Sequence, residues 1–271
     1  VRDAASLATR PGRRRAGRFL VEGPQALREA VTAGAALREV FATVDALTQH
    51  PDLVAALRAS GVPVLPAEPA AVAALAGTVS PQGLVGTCDD VDVPLDVVLD
   101  AAPRLLVLLA EVRDPGNLGT VIRTADAAGA DAVLLSAESV DPMTGKCVRA
   151  TTGSLFHLPV VRGLGLVDAV TRLQAAGLQV LAADAGGSLD LDDAAADGTL
   201  ARPTAWLLGN EAHGLDPAVA ALADRIVRVP IHGRAESLNL AVAAALCCYA
   251  SARVQRRGPD RLPTGAEQPP T

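Results

Sequence analysis

Three short stretches gather the side chains that could do chemistry, and each follows an apolar run. In "EVRDPGNLGTVIRTADAAGA" (111–130), Asn117 can cap a helix and Arg123 lies on that helix. In "LLGNEAHGLDP" (207–217), Gly209 and Gly214 bracket Asn210, Glu211 and His213. In "IHGRAESLNL" (231–240), Glu236, Ser237 and Asn239 stand at the mouth of the apolar run "AVAAALCCYA". Ser237 and Asn239 are capping residue types, so a buried helix starts there. Glu211 either bonds to loop backbone or accepts a proton if its pKa is raised. Arg123 cannot act as a base, because a guanidinium keeps its proton in proteins. Its purely structural alternative is a surface pair with Asp126 at i+3.

Other chemistries find little support. "GLGLVD" (163–168) lacks the third glycine of a dinucleotide fingerprint, and the sole lysine, Lys146, sits in "TGKC" rather than in a Walker loop. The cysteines Cys88, Cys147, Cys247 and Cys248 have no CxxC spacing, which argues for buried free thiols and against a metal site or a disulfide framework. His213 and His232 flank the loops without forming a ligand cluster.

The elements that must position these loops alternate along the chain. Residues 23–88 read as a small α/β unit: helix "PQALREAVTAG", strand "LREVFAT", helix "DLVAALRASG", strand "VPVLPA", helix "AAVAALAG", strand "GLVGTC". The acidic stretch "DDVDVPLDVVLDAAP" reads as a linker, with "LDVVLD" as a possible edge strand. From Arg104, strands such as "RLLVLLA", "AVLLS", "LQVLAAD", "TAWLLG" and "RIVRVP" alternate with helices, a pattern for a parallel sheet covered on both faces. In such sheets ligands bind at the carboxyl ends of the strands, where all three loops fall. The expected organisation is a unit at 1–88, a linker at 89–103, a second domain at 104–256 and a disordered tail at 257–271.

Formal net charge is −6, so the surface as a whole does not attract polyanions. The first 28 residues are the exception, with Arg2, Arg10, Arg13, Arg14, Arg15, Arg18 and Arg28 against Asp3 and Glu22. That segment is either a polyanion-binding arm or a solvated leader. Aromatic residues are 2% of the chain, too few for a reader of nucleic acid built on base stacking. No run reaches the roughly 18 apolar residues of a membrane span and no secretion leader is visible, so a cytoplasmic protein is expected. The chain starts on Val1 rather than Met, which suggests that residues precede it.

Taken together, "NLGTVIRTADAAGA", "LLGNEAHGL" and "VPIHGRAESLNLAVAAALCCYA" resemble, in order and spacing, the three motifs of the SpoU (TrmH-like) class of SPOUT RNA 2′-O-ribose methyltransferases. "GRFLVEGPQALREA" and "TVSPQGLVGT" resemble the L30e-like RNA-binding domain that precedes many members. The resemblance implies an α/β fold with a deep trefoil knot in the parallel-sheet domain and a homodimer. It implies S-adenosylmethionine as cofactor, held by Leu208, Gly209, Asn210, Gly214, Ile231, Leu238 and Leu240. Arg123, Asn117, Glu211, Ser237 and Asn239 would form the catalytic set, with Arg123 serving the partner's cofactor. Arg13, Arg14, Arg15, Arg18 and Arg149 would bind RNA, and no metal is implied. The implied substrate is ribosomal (23S) RNA; transfer RNA, or a noncatalytic RNA-binding or ribosome-assembly role on the same fold, are the alternatives.

Overall fold

The computed structural model describes residues 2–210 and 212–257. Two sheets organise them. The first contains β1 (Arg18–Glu22), β2 (Leu37–Ala42), β3 (Val64–Pro66) and β4 (Leu84–Asp89) in the order β1-β4-β2-β3. Here β4 runs antiparallel to β1 and β2, and β3 runs parallel to β2.

The second sheet contains β5 (Leu105–Leu109), β6 (Ala132–Ser136), β7 (Val160–Leu164), β8 (Gln179–Ala183), β9 (Leu189–Asp190), β10 (Thr204–Leu208) and β11 (Arg225–Arg228). Its order is β7-β6-β5-β10-β8-β11-β9, with every pair parallel. The central strands are buried on both faces, as their unbroken apolar sequences require. The last helix, Leu240–Arg257, is locked onto β10 by a buried hydrogen bond in which Trp206 Nε1 donates to Ser251 Oγ at 2.9 Å.

Several expectations need correction. The basic arm is folded, as helices Arg2–Ala5 and Arg10–Ala16 joined by a short 3-10 turn. Thr9 caps the second helix by accepting from Gly12 N–H at 3.2 Å, so the solvated-leader reading falls. "LDVVLD" forms a helix, Leu95–Asp100, not an edge strand. Leu95 and Val98, three apart on one face, are buried against the larger sheet. The stretch 89–103 is therefore not a bare linker. Val93 N–H bonds to Val160 O, and Asp90 and Asp92 both hold Arg162.

Nor do the two sheets have separate cores. Phe19, Val21, Leu27 and Leu84 belong to the same apolar cluster as Leu105, Leu118, Cys147 and Leu155. Phe19 stacks on Phe156 with ring centroids 6.3 Å apart. The final helix is not buried all round either, because Val242, Leu246 and Tyr249 are about half exposed. The "DPAVAALAD" helix is only Pro217–Ala220, and β1, β9 and the helices Val44–Gln49 and Leu191–Ala196 had no counterpart in the sequence reading. The expected disordered tail lies outside the described residues, apart from Arg257 at the helix end. Among the described residues no helix is long and apolar enough to cross a membrane.

Candidate active site

The three polar loops converge at the carboxyl edge of the parallel sheet. After β10 the chain reverses tightly, with Asn210 N–H bonding to Gly214 O and Gly214 N–H to Asn210 O, both at 2.9 Å. Gly209 makes this reversal possible. A Cβ there would stand 2.2 Å from the Gly214 carbonyl carbon and 2.4 Å from Leu215 N. The glycine thus serves loop closure, and it also lines the cavity beneath the loop. Asn210 pins the loop from both ends of its amide. Its Nδ2 donates to Glu111 O at 2.7 Å, and its Oδ1 accepts from Ala212 N–H at 2.8 Å.

Beneath this loop lies a cavity of about 260 Å³. Leu208, Gly209, Asn210, Gly214, Ile231, Leu238 and Leu240, the whole set assigned to a cofactor, line it together with Ser237. Ala183, Asp184 and Ala185 close it from the end of β8. Asp184 was missed in the sequence, although as the residue closing the strand "LQVLAAD" it falls where such sheets bind ligands. Among the described residues it is the one charged group in the lining. Apolar walls, backbone polar groups and a single anion suit a flat purine attached to a cationic sulfonium. The same lining would repel a polyphosphate.

Helix starts differ from expectation in an informative way. Asp114, not Asn117, caps helix Pro115–Ala128, accepting from Asn117 N–H at 2.8 Å. Lys146 bonds the other oxygen of that carboxylate at 2.6 Å; this bond and the backbone N–H hold Asp114 below its usual range. Asn239, not Ser237, caps the last helix, its Oδ1 accepting from Ala241 N–H at 2.9 Å. Asn239 Nδ2 donates to Asn117 Oδ1 at 3.0 Å and so joins the first and third loops. Ser237 is left exposed at the cavity, with no hydrogen bond of its own.

Arg123 is exposed on the Pro115–Ala128 helix and has no hydrogen-bond or ion-pair partner among the described residues. The alternative pairing with Asp126 is absent, because that carboxylate holds His157 Nδ1 at 3.1 Å. His157 Nε2 reaches Glu29 of the N-terminal unit at 3.2 Å. The bond to Asp126, reinforced by Glu29, raises the His157 pKa. Arg123 does not line the cavity described above; His213 is exposed on the far side of the 210–214 loop, and His232 is also exposed. Glu211 lies outside the described residues.

Of the expected RNA-binding set, one member is buried and two more are engaged in ion pairs. Arg13 is buried, and its Nε and a terminal nitrogen bond Asp141 Oδ2 at 2.9 and 2.7 Å. Arg18 pairs with Asp89 at 3.3 Å, and Arg149 with Glu22 at 2.6 Å and Gly77 O at 3.0 Å. Arg13 and Arg149 fasten the N-terminal unit to the larger sheet, Arg18 ties β1 to β4, and Arg14 and Arg15 stay exposed. Glu111 was also missed. It adopts φ +55°, a conformation that costs a non-glycine residue about 1–3 kcal/mol, and Ser136 Oγ and Asn210 hold its N–H and C=O. The four cysteines are buried and free, and burial pushes the thiols of Cys88 and Cys248 up to about 12, so neither is a nucleophile. Among the described residues no group of His, Cys, Asp or Glu could hold a metal ion.

Fold and site define an α/β protein with a largely apolar ligand cavity at the carboxyl edge of a parallel sheet. Residues 104–249 match the SpoU rRNA methylase family, and residues 1–86 match an MRM3-like substrate-binding domain. The 23S rRNA (guanosine(2553)-2′-O)-methyltransferase RlmP of Bacillus subtilis is 34% identical over 249 residues, covering 92% of this chain and 94% of that protein. An AdoMet-bound rRNA methyltransferase from Sinorhizobium meliloti superposes with a TM-score of 0.81 at 33% identity, covering 93% of each chain. The SpoU methyltransferase AviRb from Streptomyces viridochromogenes, in complex with AdoMet, gives 0.81 at 31% identity, covering 95% of this chain and 98% of its own. The chain belongs to the SpoU rRNA methylase family. It is a methyltransferase that uses S-adenosylmethionine.

Proposed function

We propose that this protein methylates the 2′-hydroxyl of a ribose in 23S ribosomal RNA in the cytoplasm. The observation that supports this most is the convergence of Leu208, Gly209, Asn210, Gly214, Ile231, Leu238 and Leu240 on one cavity, with Ser237 at its edge and the Asn239–Asn117 bond joining the loops. When bound, S-adenosylmethionine supplies an electrophilic methyl group. Leu208, Ile231, Leu238 and Leu240 would hold the purine, and Asp184, in the same lining, would favour the cationic end. Arg123 holds a phosphate next to the target nucleotide and so aligns the 2′-oxygen, with the proton leaving to water or to Glu211. Ser237 and Asn239 orient the ribose. Of the five arginines that the resemblance assigns to RNA, Arg14 and Arg15 are exposed without an ion-pair partner among the described residues and are the readiest to bind the RNA backbone.

Two further features belong to the same reading. Segment 229–239, which has no regular structure, threads a trefoil knot and presents Ile231, Ser237 and Leu238 to the cavity. Val242, Leu246 and Tyr249, spaced four and three apart on one helix face, pack against a second copy so that Arg123 of one chain serves its partner's cofactor. Leu246→Glu is then expected to convert a dimer to a monomer in sedimentation; an unchanged mass would remove this face from the interface. The experiment for the function is a map of ribose methylation across total RNA from cells with and without the gene. One 23S position should lose its 2′-O-methyl group, whereas a lost transfer-RNA mark, or no lost mark, would overturn the assignment.

A further inference from the structure

A second cleft, of about 280 Å³, opens where the N-terminal arm meets the carboxyl ends of β6 and β7. Arg10, Arg14, Ser136, Ser139, Asp141 and Arg162 contribute to its walls. Three carboxylates at this edge share two guanidinium groups: Asp141 is held by Arg13 at 2.7 Å and Arg162 at 3.4 Å, and Arg162 also holds Asp92 at 2.8 Å and Asp90. Arg10 and Arg14 add two further positive charges, which leaves the cluster with one net positive charge. Four residues apart on helix Arg10–Ala16, they share a face, both are exposed, and neither has a hydrogen-bond or ion-pair partner among the described residues.

The floor adds a donor. Ser136 Oγ and Ser139 Oγ are 3.0 Å apart, and Ser136 Oγ also accepts from Glu111 N–H at 2.9 Å. Their mutual bond uses one of the two hydroxyl protons. The other has no acceptor among the described residues, although both serines are buried. Two guanidinium forks and one spare hydroxyl donor in the lining of the same cleft suit the oxygens of a phosphate.

The location connects this cleft to the reaction. Ser136 ends β6, Glu111 follows β5 and Asn210 follows β10, and hydrogen bonds link the three in sequence. Those strands are adjacent, so the serine floor lies about 10 Å from the cofactor cavity, two strand spacings along the same edge. Phosphates recur every ~3.4 Å along one strand of a helix, and farther apart when the strand is extended. The cleft is therefore within reach of the RNA strand that enters the active site.

Resting on the methyltransferase reading above, we propose that Arg10 and Arg14, with the Ser136–Ser139 pair, form a dedicated site for one backbone phosphate of the substrate RNA, one to three nucleotides from the methylated ribose. The buried Arg13–Asp141 pair fixes the helix that carries both arginines. This explains why an otherwise exposed arm is anchored by a buried charge pair.

The test compares the full-length wild type, the double variant Arg10→Ala/Arg14→Ala and the control Arg58→Ala, whose arginine lies away from the cleft. The probe is unmodified 23S rRNA transcript. For the double variant, KM for RNA should rise at least tenfold at 0.15 M salt, with kcat and AdoMet affinity within twofold of wild type. Its log–log salt slope should fall by roughly 0.7–0.9, the signature of one lost phosphate contact. The control should match wild type. An unchanged KM and slope in the double variant would overturn the proposal, as would loss of stabilisation by inorganic phosphate without any effect on RNA, which would mark a site for free anions. If the wild type did not methylate the transcript, the functional reading would fail by itself. Equilibrium binding of the same RNA would then decide the cleft, with equal affinities for wild type and double variant counting against it.

Discussion

Replacing Gly209 by alanine adds one methyl group at the point where the cofactor loop closes on itself. That carbon would stand 2.2 Å from Gly214 C, 2.3 Å from Gly214 O and 2.4 Å from Leu215 N, all backbone atoms that no side-chain rotation can move. The loop must retreat by roughly 1 Å to restore ordinary contact in a close-packed interior. The two hydrogen bonds between Asn210 and Gly214, each 2.9 Å, are lost in that movement. At about 0.5–1.5 kcal/mol each, they account for roughly 1–3 kcal/mol of loop preorganisation. Since about 1.4 kcal/mol is a factor of ten in affinity, S-adenosylmethionine should bind roughly 10- to 100-fold more weakly. The loss is local, so Tm should fall by only a few degrees. Titration calorimetry with the cofactor and thermal melts measure both quantities. Gly233→Ala is the control, because its Cβ would meet nothing within 4 Å and it lies in the neighbouring loop. If Gly209→Ala bound the cofactor within twofold of wild type while Gly233→Ala did too, the account of how the loop is built would be refuted.

Arg123→Ala should lower kcat at least a hundredfold with cofactor affinity intact, because the side chain is exposed and lies outside the cavity lining; near-normal turnover would end its positioning role. His157 links helix Pro24–Thr32 to helix Pro115–Ala128 through two carboxylates, and only the imidazolium can donate to both. Its folded pKa is raised, so this stabilisation is fully present below the ordinary histidine value and is lost as pH rises through the folded value. Melts of wild type and His157→Gln should diverge in acid and converge in alkali, and parallel curves at all pH values would exclude the clamp. A fragment lacking residues 1–88 would expose Phe156 and the shared core, so it should aggregate or melt without cooperativity. A monodisperse, cooperatively melting fragment would show that the larger sheet stands alone.

The parallel sheet was legible because "LLVLL", "AVLLS" and "TAWLL" are short, almost wholly apolar runs set between helical patterns, as strands buried on both faces are. The convergence of the three polar loops was legible because loops after such strands meet at one edge. What escaped depends on partners distant in sequence. Arg13 looks like any other arginine of the arm until Asp141, 128 residues away, is brought against it. Ser237 and Asn239 are equally good caps locally, and the bond to Asn117, 122 residues away, accompanies the choice of Asn239. Glu111 gave no sign of its left-handed backbone, which is imposed by Ser136 and Asn210 from two neighbouring strands. "LDVVLD" was readable as a helix from Leu95, Val98 and Leu99, but six residues give either periodicity too little length to decide.

The central claim is that this site places a ribose 2′-oxygen, rather than a base atom, in front of the methyl donor. It is tested most directly by incubating the purified protein with methyl-labelled S-adenosylmethionine and unmodified 23S rRNA transcript, digesting the product to nucleosides and separating them by mass spectrometry. The account requires the label in a single 2′-O-methylated nucleoside with wild type and its absence with Arg123→Ala. Label in a base-methylated nucleoside, or full incorporation by the Arg123 variant, would contradict it.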